Sequence, residues 1–149
     1  MPQVVRRPSL ESEASFIADW LKQRHEAGRA WNEMAVLYRA KFVVEKVVAA
    51  LNAAGIPVEW LQEDRGSRRF VPNRDSVKVM TMHSSKGLEF PVLAIPGVGF
   101  MPYEKWDAHD EARLLYVAMT RAMDELMLTF CRESAFAARL GMVCRKVAA

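Results

Sequence analysis

The sequence predicts an α/β domain built on a mostly parallel sheet with helices covering both faces. Three observations carry that expectation. Short apolar runs alternate with helical stripes along the chain, as strand–helix units do. Two of the runs, Met34-Ala35-Val36-Leu37-Tyr38 and Pro91-Val92-Leu93-Ala94-Ile95, are continuous rather than alternating, which suits strands buried on both faces. The length of 149 residues, 51% of them apolar, fits one domain with a single real core.

In chain order, Met1-Pro2 leads into a polar stretch with no element signal. Leu10, Ala14, Ile17 and Leu21 then recur at helical spacing, with Ser9 placed to cap the helix and Gly28 to stop it. Met34–Tyr38 is expected as a buried strand. Val44, Val47, Val48 and Leu51 form a second helical stripe, ended by Gly55 and Pro57, and Pro57–Leu61 follows as a second strand. The stretch from Gln62 to Asp75 is polar and basic, with Arg65, Arg68, Arg69 and Arg74, and is expected as a loop. Val77–Met82 and Pro91–Ile95 are expected as strands, joined by the short polar segment His83–Phe90. A connection rich in Gly and Pro (Gly97, Gly99, Pro102) precedes a helix over 108–122, a strand over Glu125–Phe130 and a terminal helix over Glu133–Leu140.

Composition narrows the function only a little. The formal net charge of +3 permits a phosphate-bearing partner without demanding one. Cys131 and Cys144 offer neither a disulfide framework nor a paired metal spacing, so no metal site is expected and a reducing, cytoplasmic setting is. No apolar run approaches the roughly 18 residues of a membrane span, and the N-terminus lacks a signal-peptide core.

Chemistry concentrates at three places. Arg121 stands seven residues after Leu114 and four after Val117, on what reads as the packing stripe of its helix. A guanidinium there must be ion-paired or must point into a cleft, because an unpaired buried charge costs several kcal/mol. Arg39 follows directly on the Met34–Tyr38 strand, and ligands of open α/β sheets gather at the carboxyl ends of strands. The His83–Phe90 segment also follows a strand, and Ser84, Ser85 and Gly87 could present backbone N–H groups to an anion or serve only as a connection. Lys86-Gly87 is not a P-loop, since no G-x-x-x-x-G-K-[ST] occurs in the chain, and Gly97-Val98-Gly99 lacks the third glycine of a dinucleotide fingerprint.

Longer stretches carry a family resemblance. Val79-Met80-Thr81-Met82-His83-Ser84-Ser85-Lys86-Gly87-Leu88-Glu89-Phe90-Pro91 resembles motif V of UvrD/Rep/PcrA-type superfamily 1 helicases. Glu111-Ala112-Arg113-Leu114-Leu115-Tyr116-Val117-Ala118-Met119-Thr120-Arg121-Ala122 resembles motif VI, and Ala35-Val36-Leu37-Tyr38-Arg39 resembles motif IV. The three occur in the family's order.

The resemblance implies a C-terminal RecA-like motor domain without its own P-loop. It would work with ATP and Mg²⁺ held mainly by an N-terminal RecA-like half, and with single-stranded DNA. It further implies that Arg39 and Arg121 reach the γ-phosphate, Arg121 as arginine finger. By the same resemblance Tyr38 lies against adenine, Gly87 and Glu89 belong to the nucleotide site, and His83, with Thr81 and Ser84, touches the strand. The family's large accessory insertion has only Leu61–Ser76 in its place. Two other functions stay open at this point: a non-catalytic binding module derived from a helicase half, and a helicase–nuclease subunit. Trp60 and Tyr116 are expected as core or rim aromatics, and Leu114, Leu115 and Val117 as packing.

Overall fold

A computed structural model describes residues 2–61, 74–103 and 105–146. β1 (Gln3–Arg6) leads into α1 (Leu10–Glu26), and β2 (Met34–Tyr38) into α2 (Lys41–Ala53). There follow β3 (Val58–Trp60), β4 (Val77–Thr81), β5 (Phe90–Ile95), α3 (Ala108–Met119), β6 (Ala122–Phe130), α4 (Ala135–Val143) and β7 (Arg145–Lys146). The strands form one sheet in the order β3-β4-β2-β5-β6-β1-β7, and every neighbouring pair is parallel. All carboxyl ends therefore lie along one edge of the sheet.

Two apolar layers flank it, because successive strand side chains alternate between faces. Ala35, Leu37, Met80, Leu93 and Leu128 pack with Leu115 and Ala118 of α3 and Leu140 of α4. Met34, Val36, Val79, Val92 and Met127 pack with Ile17 and Leu21 of α1 and Val44, Val47 and Leu51 of α2. The helices begin where the sequence supplies caps. Ser9 accepts from Ser12 N at 3.1 Å, Asp107 from His109 N at 2.7 Å, and Ser134 from Ala137 N at 3.0 Å. Beyond α1, Gly28 takes φ +111°, a conformation that favours glycine.

The structure departs from expectation at the ends of elements. β1 and β7 were not foreseen; they lie at one side of the sheet, four and two residues long. α3 stops at Met119 rather than 122, because the Thr120 hydroxyl donates to Val117 O at 2.6 Å and its N–H reaches Tyr116 O and Val117 O. β6 correspondingly starts at Ala122, three residues earlier than expected, and α4 runs Ala135–Val143 rather than Glu133–Leu140. Arg65, Arg68 and Arg69 lie outside the described residues, whereas Arg74 is exposed with Nε 4.0 Å from Glu59.

One buried carboxylate fixes the layers at the carboxyl edge. Glu13 of α1 is wholly buried, and its Oε1 accepts from Gly97 N at 2.9 Å and Thr129 Oγ1 at 2.7 Å. It ties α1 to the ends of both β5 and β6.

Candidate functional site

At the carboxyl edge, Arg39 emerges from β2 and meets Glu111 in the first turn of α3. Arg39 Nε donates to Glu111 Oε2 at 2.9 Å and to Oε1 at 3.2 Å, and Tyr103 N donates to the same carboxylate at 3.2 Å. The guanidinium also lies 4.9 Å from the Tyr103 ring centroid and 5.6 Å from that of Trp106. Burial raises the Tyr103 phenol above its ordinary pKa, with Arg39 opposing and Glu111 adding to the shift.

β4 ends one strand away. Met82 N donates to Tyr38 O at 2.9 Å, so the next turn starts in register with β2. Thr81 Oγ1 accepts from Ser84 N at 3.1 Å and donates to Ser84 Oγ at 3.0 Å, while Ser85 Oγ donates to Met82 O at 2.6 Å. These bonds wind His83–Ser85 into a 3₁₀ turn that leaves His83 exposed. Thr81 and Ser84 thus shape the turn that presents His83. His83, Lys86, Arg39, Trp106, Leu114 and Val117 line a groove of about 570 Å³, together with Met82, Asp110, Glu111 and Arg113.

From there the chain returns to the opposite edge of the sheet. Gly87 takes φ +82°, Leu88 N bonds Ser85 O at 2.9 Å, and Glu89 is exposed. Phe90 N then bonds Arg121 O at 2.8 Å. The Arg121 side chain makes only long bonds to neutral acceptors: Val117 O at 3.3 Å, Leu88 O at 3.4 Å and Thr120 Oγ1 at 3.3 Å. Charge-assisted bonds run nearer 2.7–2.9 Å. Asp124 and Glu125, close by in sequence, are already taken by Arg29 at 2.6 Å and Arg24 at 2.7 Å. Among the described residues, Arg121 has no carboxylate partner.

Three expectations change with this geometry. Arg121 and Val117 do not lie on the packing stripe of α3, whose buried positions are Glu111, Leu115 and Ala118; Leu114 packs against the core from the side of that stripe, and Val117 is 37% exposed. Arg39 and Arg121 do not converge. Arg39 is bound to Glu111 near the start of α3 and Arg121 follows its end, about 15 Å further along the axis at the usual rise. Tyr38 fills the α1/α2 side of the core, 6% exposed, with its hydroxyl accepting from Trp60 Nε1 at 3.1 Å. Stacking on a base would require its ring to leave that site. What the structure does bring together is Arg39 with His83 at one edge, and Arg121 with Gly87, Leu88 and Glu89 towards the other.

Comparison with known proteins agrees with the fold. A family model described as the UvrD-like helicase C-terminal domain matches residues 61–133. The crystal structure of the C-terminal domain of a possible DNA helicase from Lactobacillus plantarum WCFS1 superposes with a TM-score of 0.73 and 27% identity, covering 97% of this chain and 84% of that one. Over residues 61–133, just under half of its length, the chain resembles a UvrD-like helicase C-terminal domain. Relatives include the ATP-dependent DNA helicase Rep of Escherichia coli (strain K12), 46% identical over 65 residues, which are 40% of this chain and 10% of Rep. The ATP-dependent DNA helicase PcrA of Bacillus subtilis (strain 168) is 43% identical over 63 residues, 38% of this chain and 8% of PcrA. The chain thus matches about a tenth of the length of these curated relatives.

In this UvrD-like domain the residue that sequence reasoning passed over is Glu111. It opens the stretch that resembles motif VI, and it fixes Arg39, the Tyr103 backbone and the head of α3. A signal was present: Glu111, Leu115 and Ala118 share one helical face, so a carboxylate stands on the buried stripe and needs a cationic partner.

Proposed function

We propose that this chain is the second, C-terminal half of an ATP-dependent DNA helicase or translocase motor, completing a composite ATP site at one sheet edge and contacting single-stranded DNA at the other. The observation that carries the proposal is Arg121, an accessible guanidinium whose neighbouring carboxylates are neutralised by other arginines. Around it stand Leu88, Tyr116, Val117 and Met123, 39%, 67%, 37% and 60% exposed, an apolar surface suited to docking an N-terminal RecA-like half.

ATP with Mg²⁺, held mainly by that half, supplies the transferable phosphoryl group. Arg121 stabilises negative charge at the γ-phosphate as an arginine finger, and Glu89 and Gly87 adjoin the nucleotide. Arg39, anchored to Glu111 beside His83, belongs with the strand-binding groove rather than with the γ-phosphate. Residues 83–89 join the two ends, so displacement at Arg121 is passed through them to His83. Their ends are bonded to β2 and to Arg121 itself.

The test is Arg121→Ala in the motor with its ATP-gripping half. Turnover should fall by roughly 10³ or more, with ATP affinity within about tenfold. Arg121→Lys should rescue little, because an ammonium lacks the planar two-pronged donor. Normal single-turnover hydrolysis in a mutant that merely melts early would reduce Arg121 to a structural residue and remove the proposal.

A further inference from the structure

The terminal helix is apolar on both of its sides. Ala137 and Leu140 of α4 face the core, with Cys144 just beyond, and Phe136 packs beside them. A surface helix ordinarily turns charged and polar residues outward. Here Ala135, Ala138, Met142 and Val143 are exposed instead, and Arg139 is the one charged residue of α4. Ala135, Ala138 and Met142 stand at i, i+3 and i+7, so they form one strip along the outer face. Met142 is 85% exposed and Val143 63%. A helix that is apolar all round is normally covered on every side.

Cations rim this strip. Arg139 flanks it on α4, and Arg145 and Lys146 follow on β7; all three are exposed, and none forms an ion pair among the described residues. Glu133, ahead of the helix, is held by Arg6 at 2.8 Å. A Cβ on Gly141 would stand 3.3 Å from Lys146 Cε, so the lysine stem lies across the end of α4 and joins the two elements into one surface. β7 is the outermost strand, four positions from β2, which is about 19 Å at the usual spacing. The strip is therefore separate from the groove of Arg39 and His83.

We propose that the outer face of α4 docks an acidic amphipathic helix of another protein. Charge decides between the occupants. A second copy of this chain would set Arg139, Arg145 and Lys146 against their own equivalents about a two-fold axis, like against like. A nucleic acid would use the cations but would press Met142 and Val143 against phosphate. A helix with an apolar stripe between acidic residues uses both parts of the surface. Ala135 and Ala138 let its backbone approach, Met142 adapts to its side chains, and its carboxylates reach the three cations. An added strand is disfavoured, because β7 is two residues long and offers few free backbone groups.

The test titrates the chain into a labelled helical peptide whose leucines recur at every third and fourth position between glutamates, and into the same peptide with lysine for each glutamate. Fluorescence anisotropy should show the glutamate peptide bound about tenfold more tightly or better. Met142→Glu should weaken it by about tenfold or more, as loss of a central anchor does, and Met142→Leu should retain it. Arg145→Ala with Lys146→Ala should narrow the preference between the peptides. Thermal melts of these variants should match the parent, since the side chains are exposed. In the motor with its ATP-gripping half, Met142→Glu should leave turnover unchanged. Equal binding of the two peptides, or binding of neither, overturns the proposal. So does self-association of the chain in sedimentation that Met142→Glu abolishes, which gives the strip to a second copy. Lost motor turnover in Met142→Glu with an unchanged melt gives it to the ATP-gripping half and overturns the proposal as well.

Discussion

Replacing Arg39 by methionine isolates the pair that decides which edge of the sheet this arginine serves. Glu111 is 3% exposed and loses two of its three contacts in that variant, keeping only the Tyr103 N–H at 3.2 Å. Breaking a buried pair from one side costs about 3–5 kcal/mol. The remaining backbone donor, and an Arg39 side chain still 17% exposed, place the loss near the lower end, about 3 kcal/mol. Removing both charges is different: Arg39→Met with Glu111→Leu leaves no orphaned ion, and its stability should lie within about 1 kcal/mol of the parent. The double-mutant cycle should therefore show at least about 2 kcal/mol of coupling, because the double variant recovers most of what Arg39→Met alone loses. Urea unfolding at neutral pH, followed by circular dichroism, measures all four corners. In thermal melts the single variant should lose about 6–12 °C, at about 2–4 °C per kcal/mol for a chain of this size. Single variants that each cost under about 1 kcal/mol, with an additive double, would mean that solvent holds Arg39. The assignment of Arg39 to the groove would then lose its anchor.

Other outcomes follow from the same geometry. Gly99→Ala should destabilise by about 2 kcal/mol or more, since the new methyl group meets the Arg132 carbonyl and neither backbone can yield cheaply; an unchanged melt would contradict the close approach. Cys131 is pushed up to about 11, first by burial and then by Glu13, so alkylation at pH 8 should be far slower in the folded chain than in urea, as mass spectrometry can follow. A thiol whose folded pKa exceeds its ordinary value of 9.0 stabilises the fold fully below that pH. That contribution fades as pH rises towards about 11, so unfolding titrations should show an alkaline loss that Cys131→Ser removes. Oligonucleotide affinity should fall with salt at a log–log slope of roughly −0.7 per phosphate neutralised, and a salt-blind titration would contradict a backbone groove.

Legibility in the sequence followed burial. β2 and β5 read clearly because both faces are covered, so Met34–Tyr38 and Phe90–Ile95 are nearly unbroken apolar runs. β1 was missed because two valines between Gln3 and Arg6 are too few to carry a period, and the early start of β6 because Met123 and Asp124 face solvent. Motif order pointed to the elements that carry Arg39, His83 and Arg121, but it could not show that α3 separates the arginines by its own length. Glu13 was equally opaque: its partners stand 84 and 116 residues away, and no local pattern announces a carboxylate at a helix–sheet junction. A pocket at the carboxyl edge draws on α2, the loop after β5 and the turn after β6: Phe100, Tyr103 and Trp106 are close in the chain, but Phe42 and Arg132 join them only in the fold.

The pairing of Arg24 with Glu125 and Arg29 with Asp124 has a consequence for anyone redesigning the surface. Each looks like an ordinary exposed ion pair, the kind whose removal barely changes a melting curve. Stability is the wrong gauge for them. Neutralising Arg29 takes from Asp124, three positions along the chain from Arg121, the cation that holds it at 2.6 Å, and so leaves a carboxylate in the same stretch of chain as a guanidinium bonded to carbonyl and hydroxyl oxygens. A variant could thus fold perfectly and yet add negative charge to the surface that is to meet a phosphate. A surface redesign therefore has to judge these two pairs by the charge they leave behind rather than by the melting curve.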